Sequence, residues 1–246
     1  MAEIADLAAA ETALRELQPA SGVSLGGRWL AAAALVTDPG TVAELVRDHA
    51  RVRSIAVERH AASLFFQRYC HRLSSATIGV WVLTGQALDA AAPEVAMQVR
   101  DGSPVGVQLS GHRRDADTPQ ELVGGLVEEH LLALAGQIHG GFGMSLPNLW
   151  GNIAASIGMA ARTLSRIRPA AQVREAVEPV LAVRPELTRM GSFRILTGPH
   201  GDRLFYDRAT CCHWHEIPNG AYCSYCSRLS PEERTRRFTE SMLTEA

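Results

Sequence analysis

The sequence predicts a mainly α fold of the α+β class, a helical body with two short β-hairpins and a small C-terminal cysteine-bearing subdomain. Three observations predict it. Most of the chain repeats its apolar residues at helical spacing. In two short stretches that pattern gives way to strict alternation around Gly, Pro and Asp turns. Four of the five cysteines fall within the sixteen residues from Cys211 to Cys226.

The elements follow in order. Ile4, Leu7, Ala8, Ala10, Leu14 and Leu17 predict a first helix over Glu3 to Leu17, ended by Pro19 and Gly22. A second begins at Thr41, read as its N-cap after Asp38-Pro39-Gly40, and carries Val42, Leu45, Val46, Val52 and Ile55. A longer helix with Leu64, Phe65, Phe66, Tyr69, Leu73, Ile78, Val80, Val82 and Leu83 has apolar residues on most of its faces and is expected to be buried. Between Pro93 and Ser110, Val95, Met97 and Val99 and then Val105, Val107 and Leu109 alternate with other residues around Asp101-Gly102-Ser103-Pro104, a β-hairpin signature.

Thr118-Pro119-Gln120-Glu121 supplies a cap, a proline at the first helical position and an early acid, opening a helix through Ile138 that Gly140, Gly141 and Gly143 should break. Further helices are predicted from Pro147 to Arg168 and from Gln172 to Leu181. Phe193, Ile195, Leu204 and Tyr206 flank Thr197-Gly198-Pro199-His200-Gly201-Asp202 as a second hairpin, and Ser230-Pro231-Glu232-Glu233 opens a last helix. The expected organisation is a helical body over 1-190 with a hairpin near 94-110, then residues 191-246 as the C-terminal hairpin, a cysteine loop and a terminal helix.

Composition removes several function classes. All 24 basic residues are arginine, so there is no Schiff-base lysine, no pyridoxal phosphate anchor and no P-loop lysine. A net charge of −2 with scattered arginines gathers no nucleic acid. The longest apolar run, Trp29 to Val36, is too short to span a membrane, so no integral membrane segment is expected. The first residues are acidic where an export signal would be basic, which places the expected location in the cytoplasm. In that reducing compartment a cysteine cluster signals metal or redox chemistry before disulfides.

The cysteines read Cys211-Cys212, ten intervening residues, then Cys223-Ser224-Tyr225-Cys226. Four thiolates are the usual complement of a [2Fe-2S] cluster, and Pro218-Asn219-Gly220 is a turn signal able to bring the two pairs together. A structural zinc ion also takes four cysteines, although such sites usually join two Cys-x-x-Cys knuckles and adjacent cysteines on extended backbone point opposite ways.

The run Leu204-Phe205-Tyr206-Asp207-Arg208-Ala209-Thr210-Cys211-Cys212, with Cys223-Ser224-Tyr225-Cys226 beyond it, resembles the C-terminal signature of the FhuF-type ferric-siderophore reductases. Upstream, Leu149-Trp150-Gly151-Asn152 is also similar to a pattern of that family. The resemblance implies that Cys211, Cys212, Cys223 and Cys226 ligate a [2Fe-2S] cluster, and that the protein is a ferric-siderophore reductase of iron homeostasis. Reduction would weaken the hold of hard oxygen ligands on the iron and release Fe(II). With no Gly-x-Gly-x-x-Gly fingerprint, the electron must come from a ferredoxin or reductase. Two other readings compete. One is an electron-carrier or interaction subunit of a larger redox complex, and the other is a non-redox binding module with structural zinc on the same cysteines.

His213 and His215 are candidates to hydrogen-bond cluster sulfurs from the second shell. Cys70 reads as a core residue rather than a fifth ligand. Trp150 and Asn152 start a helix and are weaker candidates for facing the cluster or substrate, the favoured reading being a core Trp with a capping or surface Asn. His112-Arg113-Arg114 reads as a solvated charge run, whereas Arg234, Arg236 and Arg237 on the last helix are candidates for docking an acidic ferredoxin.

Overall fold

A computed structural model of the protein describes residues 27–244. The helix expected over Glu3 to Leu17 lies outside the described residues. The rest is mainly helical with two small antiparallel sheets, the α+β class that the periodicity implies.

Strand β1 (Arg28–Ala31) runs directly into helix α1 (Ala32–Thr37), followed by α2 (Pro39–Val52) and the long α3 (Glu58–Thr84). The cap of α2 is Asp38, not Thr41: Asp38 Oδ1 accepts from Gly40 N at 2.9 Å, and the Thr41 hydroxyl donates to Asp38 Oδ2 at 2.6 Å. A carboxylate three residues ahead, with Pro39 at the first helical position, caps the first turn better than a hydroxyl already inside it. The first hairpin is β2 (Val95–Arg100) and β3 (Ser103–Leu109), joined through Asp101 and Gly102, both with positive φ. β1 adds to it as a third strand, giving the order β1-β2-β3.

Helix α4 (Pro119–Val123) is capped by Thr118, whose Oγ1 accepts from Glu121 N. It passes without a break through a π-helical stretch (Gly124–Leu131) into α5 (Leu132–Phe142). The extra residue per turn aims His130 into the core, where Nδ1 meets Ala90 O at 2.8 Å and Nε2 meets the Tyr69 hydroxyl at 2.6 Å. Gly140 and Gly141 do not break the helix; it ends at Gly143, which takes the left-handed conformation. Then come α6 (Leu146–Leu164), α7 (Ala170–Ala182) and the short α8 (Pro185–Thr188).

The second hairpin is β4 (Gly191–Gly198) with β5 (Gly201–Arg208), and α9 (Pro231–Thr244) closes the described chain. The core is organised on α3 and α6, which pack along one another and share a buried Ser74–Ser156 hydroxyl pair at 2.8 Å. Cys70 is fully buried on α3. Alternation on β5 splits its side chains. Leu204 and Tyr206 join the main core, while Phe205 turns to a second cluster with Phe238 and Met242 of α9. The hairpin is thereby held between α6 and α9, and β5 delivers the chain to the cysteines. Among the described residues no helix is long and apolar enough to cross a membrane.

Candidate metal centre

The approach of β5 to α6 sets where the cysteines begin. A Cβ built on Gly151 would lie 1.7 Å from Thr210 Oγ1 and 2.9 Å from Thr210 Cβ, so only glycine lets the helix pass this close to the residue before Cys211. From there the loop turns tightly. His213 sits at φ 66 and a single 3₁₀ turn spans Trp214–Glu216. Ile217 plugs into the main core, and Asn219 at φ 60 turns the chain back. A Cβ on Gly220 would lie 1.9 Å from Trp214 O, so the turn at Pro218-Asn219-Gly220 closes on its own backbone. Cys226 N then donates to Cys223 O at 3.0 Å, the tight turn of a Cys-x-x-Cys pair.

Both cysteine pairs therefore reach one place. The thiols of Cys212 and Cys223 are hydrogen-bonded to each other, and that bond, from Cys223 to the Cys212 sulfur, is the main reason the Cys212 thiol is pulled well below its ordinary range. Arg208 and the Trp214 N–H pull it the same way, against the effect of burial. Cys223 is pushed up, first by sharing its proton with Cys212 and then by burial, with the charges of Cys212 and Cys226 adding to the effect. Cys211 Sγ accepts from His213 N at 3.3 Å, and the His215 ring reaches it through Nδ1 at 3.7 Å. Arg228 also hydrogen-bonds Cys211, which raises the arginine pKa.

Beneath the loop lies a buried polar chain. Arg208, 1% exposed, donates through Nε to Thr210 O at 2.7 Å and through Nη2 to Asn152 Oδ1 at 2.9 Å. Asn152 Nδ2 donates to Ser63 O and Oγ, both at 3.2 Å, and Ser63 Oγ donates to Cys212 O at 3.2 Å. Asn152 is thus neither a cap nor a surface residue. The cap of α6 is Ser145, and Asn152 is fully buried about two turns further on, tying α3, α6 and β5 to the cysteine loop. Trp150 packs partly buried against the core with the Arg184 guanidinium 5.9 Å from its ring.

A cavity of about 240 Å³ opens on the other side of the same sulfurs. Cys212, Cys223, Trp214 and Tyr225 form its loop wall, and Arg53 and Arg68 are its cations. The lining includes no carboxylate. Burial first, and then the neighbouring Arg72, Arg53 and Arg100, lower the Arg68 pKa, which marks a region crowded with positive charge.

The arginines singled out on the last helix are balanced instead. Arg234 pairs with Asp207 at 3.3 Å, Arg236 with Glu233 and Glu240, and Arg237 with Glu233 and Tyr222 O. They present no unopposed basic face: Arg236 and Arg237 meet carboxylates three or four residues away along the helix, and Arg234 meets Asp207 of β5. The His112-Arg113-Arg114 run is likewise tied down: His112 to Glu94, Arg113 to Asp117, and Arg114 to Asp89, Glu121 and Glu129.

The donor set fits a sulfur-ligated metal group. One tetrahedral zinc would hold every pair of four sulfurs about 3.8 Å apart, given Zn–S near 2.3 Å. Among the described residues, the set of three or more ligand atoms lying within 4.8 Å of one another contains no cysteine. Four thiols reach this one loop, which is the donor chemistry a sulfur-ligated metal group needs. Arg208 Nη1 points the same way: it is a buried cationic donor with no hydrogen-bond partner, beside thiols whose pKa it lowers.

No protein-family model matches the chain, and no curated protein matches it.

Proposed function

We propose that the protein is a cytoplasmic [2Fe-2S] electron-transfer protein that reduces ferric siderophores, with Cys211, Cys212, Cys223 and Cys226 as the ligands. The observation that carries this reading is that Cys212 and Cys223 touch each other while forming the wall of an arginine-bearing cavity that has no carboxylate. Such a cluster would supply one electron at a time. The residues of the chain do the rest. Ser63, through its bond to the Cys212 carbonyl, and Asn152, through Arg208, hold the loop against the helical body. Arg208 offsets the negative charge of sulfur ligation from the buried side.

Arg53 and Arg68 favour an anionic oxygen chelate at the open side, since guanidinium groups suit carboxylate and hydroxamate oxygens. The cavity is smaller than a whole-ligand pocket, so it would take one edge of a chelate and leave the rest in solvent. The donor would be a ferredoxin or a reductase. The paired arginines of α9 give no support to docking there through positive charge.

Metal and sulfide analysis with visible and EPR spectra tests the cofactor. The expected result is about two irons per chain, lost when Cys223 and Cys226 are changed to Ser. A colourless protein holding zinc would sink the reading. Stopped-flow mixing of the reduced protein with ferric hydroxamate and ferric citrate tests the activity. Rapid reoxidation supports the reductase, and a reduced protein indifferent to both chelates leaves only an electron carrier.

A further inference from the structure

We propose that His60, His213 and Glu216 form a second metal site at the edge of the cysteine loop, for one divalent first-row transition-metal ion such as Fe(II). It goes beyond the cluster reading and stands whatever the four cysteines hold.

Three ligand atoms converge there within 4.8 Å of one another. Glu216 Oε2 lies 2.8 Å from His60 Nε2 and 3.1 Å from His213 Nδ1. Atoms bound to one ion at about 2.1 Å stand about 3.0 to 3.4 Å apart at right or tetrahedral angles, so the two carboxylate–imidazole separations are near those an ion would set, and the two histidine nitrogens lie within 4.8 Å of each other. The two imidazoles are stacked, with centroids 4.7 Å apart and planes 10° from parallel.

The pointer to a ligand is His60 itself. It opens the first turn of α3, its side chain is only 10% exposed, and neither ring nitrogen is hydrogen-bonded. Glu216 Oε2 is close enough but off the axis along which a ring N–H would donate, leaving the Nε2 lone pair free for an ion that the carboxylate could share.

The surroundings orient the other ligands. His215 Nε2 at 3.4 Å and Arg228 Nη2 at 3.5 Å hold Glu216 through Oε1, which leaves Oε2 to face the histidines. Asn148 Nδ2 lies 3.0 Å from His213 Nε2, and His213 Nδ1 hydrogen-bonds Glu216 Oε2 at 3.1 Å, so an ion would take the place of the Nδ1 proton, and a turned Asn148 amide would then accept Nε2–H. His213 gives Cys211 only its backbone N–H, so its ring is not needed at the sulfur. Two imidazoles and one carboxylate with open positions suit divalent iron, and also zinc or cobalt.

Anaerobic titration of the purified full-length chain with ⁵⁷Fe(II), read by Mössbauer spectroscopy and by metal analysis after desalting, tests the site. The wild type should take up one further equivalent as high-spin Fe(II) with nitrogen and oxygen ligands, a signal distinct from any iron on sulfur. E216Q, nearly isosteric, should weaken that binding by more than about 100-fold, beyond what loss of an outer-shell partner causes, and H60A should do the same. Iron and sulfide on the cysteines are counted in the same samples, so a chain without a cluster can still gain or fail to gain the ferrous signal. No nitrogen- and oxygen-ligated equivalent in the wild type, or equal binding by a folded E216Q, overturns the proposal.

Discussion

Two glycine-to-alanine substitutions in helix interiors should move stability in opposite directions, and the difference isolates the contact on which the cysteine loop rests. Gly136 on α5 is exposed, and a Cβ there meets nothing within 4 Å. G136A should therefore gain the ordinary helix preference of alanine over glycine, about 1 kcal/mol. Gly151 on α6 has the same backbone preference but the opposite surroundings, with Thr210 Cβ 2.9 Å and Thr210 Cγ2 3.2 Å from the new methyl position. Rotating the threonine side chain moves Oγ1 away but cannot move its Cβ, so the chain ahead of Cys211 must retreat by about half an ångström to reach ordinary contact. Overpacking of this kind costs about 3 kcal/mol at the upper end of its usual range. Less the helix gain, the net loss is about 2 kcal/mol. For a chain of this size that lowers Tm by about 4–8 °C, while G136A raises it by about 2–4 °C. Thermal melts of the purified proteins, with metal content measured alongside, check both. If the cysteines hold the proposed centre, G151A should also lose metal more readily than G136A, because the displaced residue leads into the proposed ligands. A G151A protein that melts with or above G136A and keeps its metal would refute the close approach and the argument built on it.

Two further outcomes follow from buried charge. His130 is completely buried and its pKa is driven from 6.5 to about 4, chiefly by burial. The unfolded chain therefore binds the extra proton between those values, and the stability held by the neutral ring is complete above about pH 6.5 and lost as pH falls towards 4. His130 alone should cost about 2 kcal/mol between pH 7 and pH 5; denaturant midpoints of wild type and His130→Gln across that range should show a shallower acid loss in the variant, and parallel curves would contradict the assignment. Arg208→Met should lower the midpoint potential of the proposed cysteine-bound centre, since it removes a buried cation that favours negative charge on Cys212 and Cys223; a loss of about 1–2 kcal/mol of that attraction reads as about 40–90 mV for one electron. Potentiometry with EPR detection reads the shift, and an unchanged potential would remove Arg208 from the electrostatics of the site.

Much of the fold was legible because long apolar helices and alternating hairpins leave periodic signals. The Thr118 cap, the turn at Asp101-Gly102 and the hairpin ahead of the cysteines could all be read residue by residue. β1 could not: four residues leading straight into α1 look like one apolar run, and a strand that pairs with β2 more than sixty residues later has no local mark. The π-helical stretch was equally silent, because one added residue per turn leaves the apolar spacing almost unchanged. In the site, the cysteines announce themselves by density. Arg208, Ser63 and Asn152 do not, for their bonds join segments 56, 89 and 149 residues apart. A signal was present in Gly151 and Gly158, seven apart on one face of α6, where Thr210 and Tyr206 come within 3 Å of a built Cβ. Two small residues at that spacing mark a close helix crossing, and the segment packed there was the one leading to the cysteines. His60 escaped notice because it lies about 150 residues from the loop it faces.

With arginine as the only strong base in the chain, the distribution of its partners carries information that composition hides. Arg114, Arg234, Arg236 and Arg237 are each matched by nearby carboxylates, so they hold surfaces and helices together and leave little charge for a ligand. Arg53 and Arg68 stand in a cavity whose lining has no carboxylate, and Arg208 keeps a buried nitrogen without a hydrogen bond. A buried cation without an anion is costly by several kcal/mol, and a fold tolerates it where an anion completes it. The groups beside Arg208 able to become anionic are the thiols of Cys212 and Cys223, and those two sulfurs also face the arginine-bearing cavity. Positive charge on both sides of the same sulfurs is the feature on which the proposed anionic metal–sulfur group and anionic chelate rest. A structural zinc knuckle would give no account of the cavity side.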